Sequence, residues 1–191
     1  MIEIYRQSIT KVHSSAIINP VEPLLATWAD RELNRVSQEI YSSAGSEYLD
    51  THKSTLSGID TCGTLVTDSF ELKPDFENII NIVLPVVGVE LHHSEESISD
   101  YLTACEDKKQ ALKNCYKIVL DLAKELGGDS VTIPVLGVNT VSGFPVMLCA
   151  EVMVEAVREW LATDSSEFHI RVSVTYDECL RHLRRALIKH A

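Results

Sequence analysis

The stretch V-T-I-P-V-L-G-V-N-T-V-S-G-F-P, Val131 to Pro145, decides how this chain folds. Its opening, Val131–Val135, is a continuous apolar run rich in β-branched residues, the pattern of a fully buried strand that ends near Pro134. A segment with Gly137, Asn139, Thr140, Ser142 and Gly143 follows, which is loop composition, and Pro145 suits the first position of a helix. Beyond it, Val146, Cys149, Met153, Val157 and Trp160 recur at spacings of three and four, while Glu151, Glu155, Arg158 and Glu159 lie largely on the opposite face. Such a helix must bury its apolar stripe against a sheet. Strand, glycine-bearing loop and amphipathic helix in succession make one repeat of an α/β architecture.

Working outward, further apolar runs at Ile2–Tyr5, Ala16–Ile18, Thr64–Thr67, Ile79–Leu84 and Phe168–Val174 bring the expected strands to six. Helical patterns lie between them. They cover Asp30 to about Ser43, one or two helices from Ser97 to Leu126, Val146–Leu161 and Tyr176–Lys189. Gly127-Gly128 is a helix stop, and Ser94–Ser99 is a polar, acidic loop or helix start. The alternation predicts a three-layer α/β/α sandwich around a mixed, mostly parallel sheet, with its ligand crevice at the carboxyl ends of the strands. With 191 residues and no repeat, low-complexity tract or linker, residues 1–191 are expected to form one domain.

Composition narrows the function classes. Hydrophobic residues make up 45% and charged residues 24%, enough to build a core. Lys and Arg number 17 against 28 Asp and Glu, a net charge of −11 that repels nucleic-acid phosphates and anionic lipid. The five cysteines, Cys62, Cys105, Cys115, Cys149 and Cys179, contain no C-x-x-C pair and sit in apolar stretches, as buried thiols in a reducing compartment do. The start, MIEIYRQSITKV, has no basic flank and long apolar core, and Ile79–Leu91 is broken by Asn81, Pro85 and Gly88. These features predict a soluble, cytoplasmic protein with no membrane partner. His92-His93 with Glu95-Glu96 lacks a ligand spacing and reads as a solvated acidic loop, so no metal and no cofactor is expected. Arg181, Arg184, Arg185 and Lys189 form a solvent face on the last helix and complement its dipole.

The loop from Gly137 to Phe144 has a chemical reading. Amides on a glycine loop, backed by the positive end of a helix dipole, make an anion site suited to phosphate. An ordinary strand-to-helix turn has the same composition, and both readings stand at this point.

The order of elements resembles the macro domain family, which binds ADP-ribose and in some branches hydrolyses ADP-ribose esters or glycosides. Ile2–Ile18, with Ile9-Thr10 and Ala16-Ile17-Ile18-Asn19, is similar to the family's opening strand, turn ending in I-T, and second strand followed by Asn. Gly58 to Leu72, with Thr67, Phe70 and Leu72, resembles the middle segment. Pro134, Gly143, Phe144 and Pro145 resemble the strand and second phosphate loop. The resemblance implies a pocket for ADP-ribose or an ADP-ribosylated protein, with hydrolysis of the ADP-ribose linkage as a further activity. The expected ligand-binding residues are Asn19, Gly137, Asn139, Thr140, Ser142, Gly143 and Phe144.

The chain also departs from the family pattern. Ser8 stands where the family has an Asp that recognises the adenine amino group, Glu22 replaces the second Asn, and Leu24-Leu25-Ala26-Thr27-Trp28-Ala29-Asp30 replaces the glycine-rich first phosphate loop. Glu22, Asp30 and Glu32 bring carboxylates to the same rim, where one of them would orient water or a ribose hydroxyl; these are the catalytic candidates. Asp30 also reads as a helix N-cap, Asn19 as a turn residue before Pro20, and Trp28 as the cover of a core edge. The alternative to a nucleotide pocket is a non-catalytic interaction module whose acidic surface contacts a basic protein partner.

Overall fold

The computed structural model describes residues 1–21, 35–55, 58–88, 95–138, 142–163 and 167–190. Six strands form one sheet: β1 (Ile2–Tyr5), β2 (Ala16–Val21), β3 (Thr64–Asp68), β4 (Asn78–Val83), β5 (Ser130–Pro134) and β6 (His169–Ser173). Their order across the sheet is β1-β6-β5-β2-β4-β3. Every pairing is parallel except β3 with β4, so the sheet is mixed and mostly parallel. The five described helices are α1 (Arg35–Ala44), α2 (Ser46–Thr55), α3 (Glu95–Glu125), α4 (Val146–Thr163) and α5 (Asp177–Lys189).

The three layers follow from the two-residue period of the strands. Ala16, Ile18, Ile80, Ile82, Val131 and Ile133 bury one face of the sheet in a core shared with Leu112, Tyr116 and Leu120 of α3, Met153 of α4 and Leu183 of α5. Ile17 and Ile79 point the other way, into a smaller core with Ile40 and Tyr41 of α1 and Tyr48 of α2.

Two differences from the sequence reading have physical causes. β2 runs past Asn19 through Pro20 to Val21 instead of ending at Ile18. Its pairing with β5 covers only Ala16 and Ile17, so the missing Pro20 N–H costs no ladder bond on that side, and the Pro20 carbonyl accepts from Ser37 Oγ at 2.7 Å. The pattern from Ser97 to Leu126 is one helix, begun at Glu95. α2 carries no strong apolar periodicity in Ser-Glu-Tyr-Leu-Asp-Thr-His-Lys-Ser-Thr and follows α1 after Gly45, whose φ of +88° permits the turn between them.

Candidate functional site

The parallel strands β1, β6, β5, β2 and β4 all present their carboxyl ends at one edge of the sheet, where ligand crevices of such folds open. β5 delivers the Val131–Pro145 segment to this edge, and α4 starts there. The Pro145 carbonyl accepts the Cys149 N–H at 3.1 Å, so Pro145 caps α4 and the helix proper begins at Val146, where the apolar stripe begins in the sequence. The first-turn N–H groups of α4 have no partner within the helix and face the loop end.

The loop is built on two left-handed glycines. Gly137 has φ +82° and Gly143 φ +75°. A Cβ on Gly137 would lie 3.1 Å from Cys149 Sγ, 3.3 Å from Phe144 Cδ2 and 3.4 Å from Leu112 Cδ2, so backbone and core touch directly. Two tyrosines of α3 fix the loop from below. Tyr116 Oη accepts the Leu136 N–H at 2.7 Å, and Tyr101 Oη donates to the Gly143 carbonyl at 2.7 Å. Val87, just past β4, donates its N–H to the Ser142 carbonyl at 2.9 Å. Burial pushes the Tyr101 phenol up to about 12, with a hydrogen bond to Cys105 adding to the effect, and burial raises Tyr116 well above its usual range, so both anchors stay protonated.

Of the expected ligand-binding residues, Gly137, Ser142, Gly143 and Phe144 come together in this loop. Asn139 and Thr140 lie outside the described residues, as do Glu22, Asp30 and Glu32, together with Trp28, His92 and His93. Phe144 is only 5% exposed, with its ring in the main core beneath Gly137. Asn19 is fully buried on the α1/α2 side of the sheet. Its Nδ2 donates to Tyr48 Oη at 2.9 Å and to Asn81 Oδ1 at 2.8 Å, and its Oδ1 accepts from Ser37 Oγ at 2.8 Å. The amide is thus committed to protein partners.

A second group at the same edge joins Ser8 to three residues that no sequence pattern singles out. Ser8, after β1, donates its hydroxyl to Glu39 Oε2 of α1 at 2.8 Å. Glu39 Oε1 lies 3.4 Å from Arg35 Nε, and the Arg35 guanidinium stands 5.6 Å from the centre of the Tyr176 ring, after β6. These four residues share no motif. They come from the ends of β1 and β6 and from one turn of α1, and only the sheet order β1-β6 brings them together. Among the described residues, no group of three His, Cys, Asp or Glu side chains gathers as a metal site, and no helix is long and apolar enough to cross a membrane.

A mostly parallel three-layer sandwich, with a glycine loop feeding a helix start at the carboxyl edge, is an α/β domain of the architecture whose crevices open at that edge. The sequence pattern of the Macro domain family matches residues 29–153. The chain belongs to that family. It is 27% identical over 166 residues to the human (Homo sapiens) ADP-ribose glycohydrolase MACROD2, an alignment covering 87% of this chain and 34% of the relative, so the chain spans about a third of that protein's length. Among solved structures, the Oceanobacillus iheyensis macrodomain with ADP superposes with a TM-score of 0.77 at 19% identity, covering 99% of this chain and 90% of that one. The Trypanosoma brucei macrodomain in complex with ADP-ribose gives 0.73 at 18%, covering 97% and 68%. At these identities the likeness establishes the shared fold.

Proposed function

We propose that this chain binds ADP-ribose, free or attached to a protein, at the carboxyl edge of its sheet. The observation that carries the reading is the loop between β5 and α4: two left-handed glycines, held by Tyr116, Tyr101 and Val87, set in front of a helix start. That arrangement is suited to a pyrophosphate, whose charge the helix dipole and loop amides receive. In the sequence, Asn139 and Thr140 add polar side chains between the two glycines, while Ser142 is buried. Asn19 and Phe144 enter this proposal as supports of the crevice floor; a direct ribose contact by Asn19 needs one of its three protein hydrogen bonds exchanged.

Hydrolysis of the ADP-ribose linkage is the further activity we propose, supported by the likeness to a glycohydrolase. Glu22, Asp30 and Glu32 follow β2, whose carboxyl end lies at the proposed crevice, and a carboxylate among them orients the attacking water or a ribose hydroxyl. The free thiols and acidic charge suit a cytoplasmic setting.

Titration calorimetry with ADP-ribose tests the binding reading: saturable heat is expected, weakened by Gly137→Val. Absence of saturable binding overturns it. The replacement of the glycine-rich first loop by Leu24–Asp30 favours an interaction module, and capture of a basic protein by a chain that ignores ADP-ribose is the outcome that selects it. For the chemistry, Glu22→Gln and Asp30→Asn separate roles. A general base costs about 10²–10⁴ in rate when removed, whereas loss of a cap lowers the thermal midpoint and leaves turnover intact.

A further inference from the structure

Cys62 and Cys115 take no part in the site described above, although they stand next to it. Cys62 lies in the turn before β3, where its N–H donates to the Val83 carbonyl at 2.8 Å and the Gly63 carbonyl accepts from the Val83 N–H at 3.0 Å. These bonds hold Cys62 at φ +64°, a left-handed conformation that a residue with a Cβ seldom adopts. The side chain so directed reaches across to α3. Cys115, fully buried in the middle of that helix, donates its S–H to Cys62 Sγ at a sulfur–sulfur distance of 3.1 Å. Cys62 Sγ lies in addition 3.4 Å from the Ala111 carbonyl, and its residue is half-buried, so small solutes in solvent have access that Cys115 lacks.

We infer that Cys62 and Cys115 are a peroxide-sensitive dithiol, with Cys62 as the attacking sulfur and Cys115 as the resolving one. The Cys62 thiolate attacks one oxygen of hydrogen peroxide, the O–O bond breaks, and the departing hydroxide takes up a proton, leaving Cys62 as a sulfenic acid. Cys115 sulfur then attacks Cys62 sulfur, the S–O bond breaks, and the Cys115 proton leaves with that oxygen as water. Two thiols lose two electrons in all, and one peroxide is reduced to two waters.

The electrostatics agree with this division of labour. The hydrogen bond from Cys115 brings the Cys62 thiol down to about 7 against the opposing effect of burial, giving a substantial thiolate fraction at neutral pH. The same bond, then burial, pushes Cys115 well above the ordinary range. The remaining thiols are pushed up by burial, Cys179 to about 11. A Cys62–Cys115 bond would tie the turn before β3 to α3, the helix whose Tyr101 and Tyr116 hold the phosphate loop.

The test is treatment of the full chain with hydrogen peroxide, followed by thiol counting after denaturation and peptide mapping without reductant. Titratable thiols are expected to fall from five to three, with one cross-linked peptide pair joining Cys62 to Cys115 that dithiothreitol releases. Cys62→Ser should retain its four thiols at the same dose. Cys115→Ala should accumulate Cys62 sulfenic acid, trapped by dimedone, with no cross-link. Persistence of Cys62 as a free thiol in the parent chain, or its conversion to sulfinic acid with no link to Cys115, overturns the inference; both are read on the unmutated chain, so they hold even if a variant fails to fold.

Discussion

Asn19 Nδ2 donates to Asn81 Oδ1 at 2.8 Å across two adjacent parallel strands in which residues 19 and 81 are register partners. Tyr48 Oη donates to the same oxygen at 2.6 Å, and Asn81 Nδ2 donates to the Leu65 carbonyl at 3.0 Å, so one amide joins β2, β3 and α2. Burying these polar groups is tolerable only because each is satisfied. Asn81→Ala is therefore expected to cost about 2–3 kcal/mol, since it strips partners from buried donors at Asn19 and Tyr48. Tyr48→Phe removes one hydroxyl, leaves the Asn19–Asn81 bond in place, and should cost about 1–2 kcal/mol. Urea denaturation of the two variants checks the order; equal losses would mean that the network contributes no more than Tyr48 alone.

Gly137 and Gly143 share a left-handed backbone but differ in surroundings, which separates strain from crowding. Gly143→Ala has its nearest foreign atom at 3.5 Å, an ordinary contact, and should cost about 1–2 kcal/mol from φ alone. Gly137→Ala adds three core atoms at 3.1–3.4 Å and should cost about 2–4 kcal/mol, with overpacking added to strain. Calorimetric midpoints, at roughly 2–4 °C per kcal/mol for a domain of this size, would show Gly137→Ala as the lower. On the proposed function it also binds ADP-ribose more weakly, because the loop must shift to relieve Phe144.

The strands and the β5–α4 segment were legible because burial on both faces forces continuous β-branched runs, as in Val131–Pro134 and Ile79–Val83, and because α4 shows its stripe plainly. α2 was not, since Ser46–Thr55 presents Tyr48 and Leu49 among polar residues and is held by Tyr41, whose ring stacks on Tyr48 at 5.3 Å. The left-handed glycine turn of the candidate loop was legible because it is local, as Gly137 and Gly143 show. Ser8, Arg35, Glu39 and Tyr176 lie up to 168 positions apart, and no spacing rule relates them; nor does any rule tell that Asn19, at the end of an apolar run, spends its amide on Asn81 and Tyr48.

Asp129 gives the acid limb of stability a sign. Its carboxylate accepts from Ser130 Oγ at 2.7 Å and Ser15 Oγ at 3.0 Å, and these bonds, Ser130 first, hold its carboxyl below the usual carboxylate range. Its contribution is present above the unfolded value of about 3.9 and is lost as pH falls through the lower folded one. Asp68, lowered by its hydrogen bonds from Lys73 and the Phe70 N–H, acts with the same sign. Asp129→Asn should flatten the stability profile below about pH 4, read as thermal midpoint against pH. An unchanged slope there would show that the two serine bonds are as strong to the protonated acid.

On the proposed function, Glu39 is the residue expected to distinguish binding of a nucleotide from binding of a bare phosphate. Ser8 occupies the position where an adenine-recognising Asp is expected by resemblance, and it donates its hydroxyl to Glu39 Oε2, so a carboxylate from α1 stands where the chain after β1 supplies only a hydroxyl. Arg35 neutralises part of that charge at 3.4 Å, and the Tyr176 ring, 49% exposed, offers a face on which a base can stack. A base amino group would find an acceptor in Glu39 and a ring in Tyr176, while the pyrophosphate reaches Gly137–Gly143 along the same edge. On that arrangement Glu39→Ala weakens ADP-ribose by about 10-fold, the loss of one charge-assisted hydrogen bond of roughly 1.5 kcal/mol, and leaves ribose 5-phosphate and pyrophosphate affinities unchanged. Gly137→Val acts on a different part of the ligand, weakening every phosphate-bearing one. Calorimetry with the three ligands on the two variants reads both effects at once, and a Glu39→Ala loss of equal size for all three ligands would mean that Glu39 orders the edge as a whole and does not read the base.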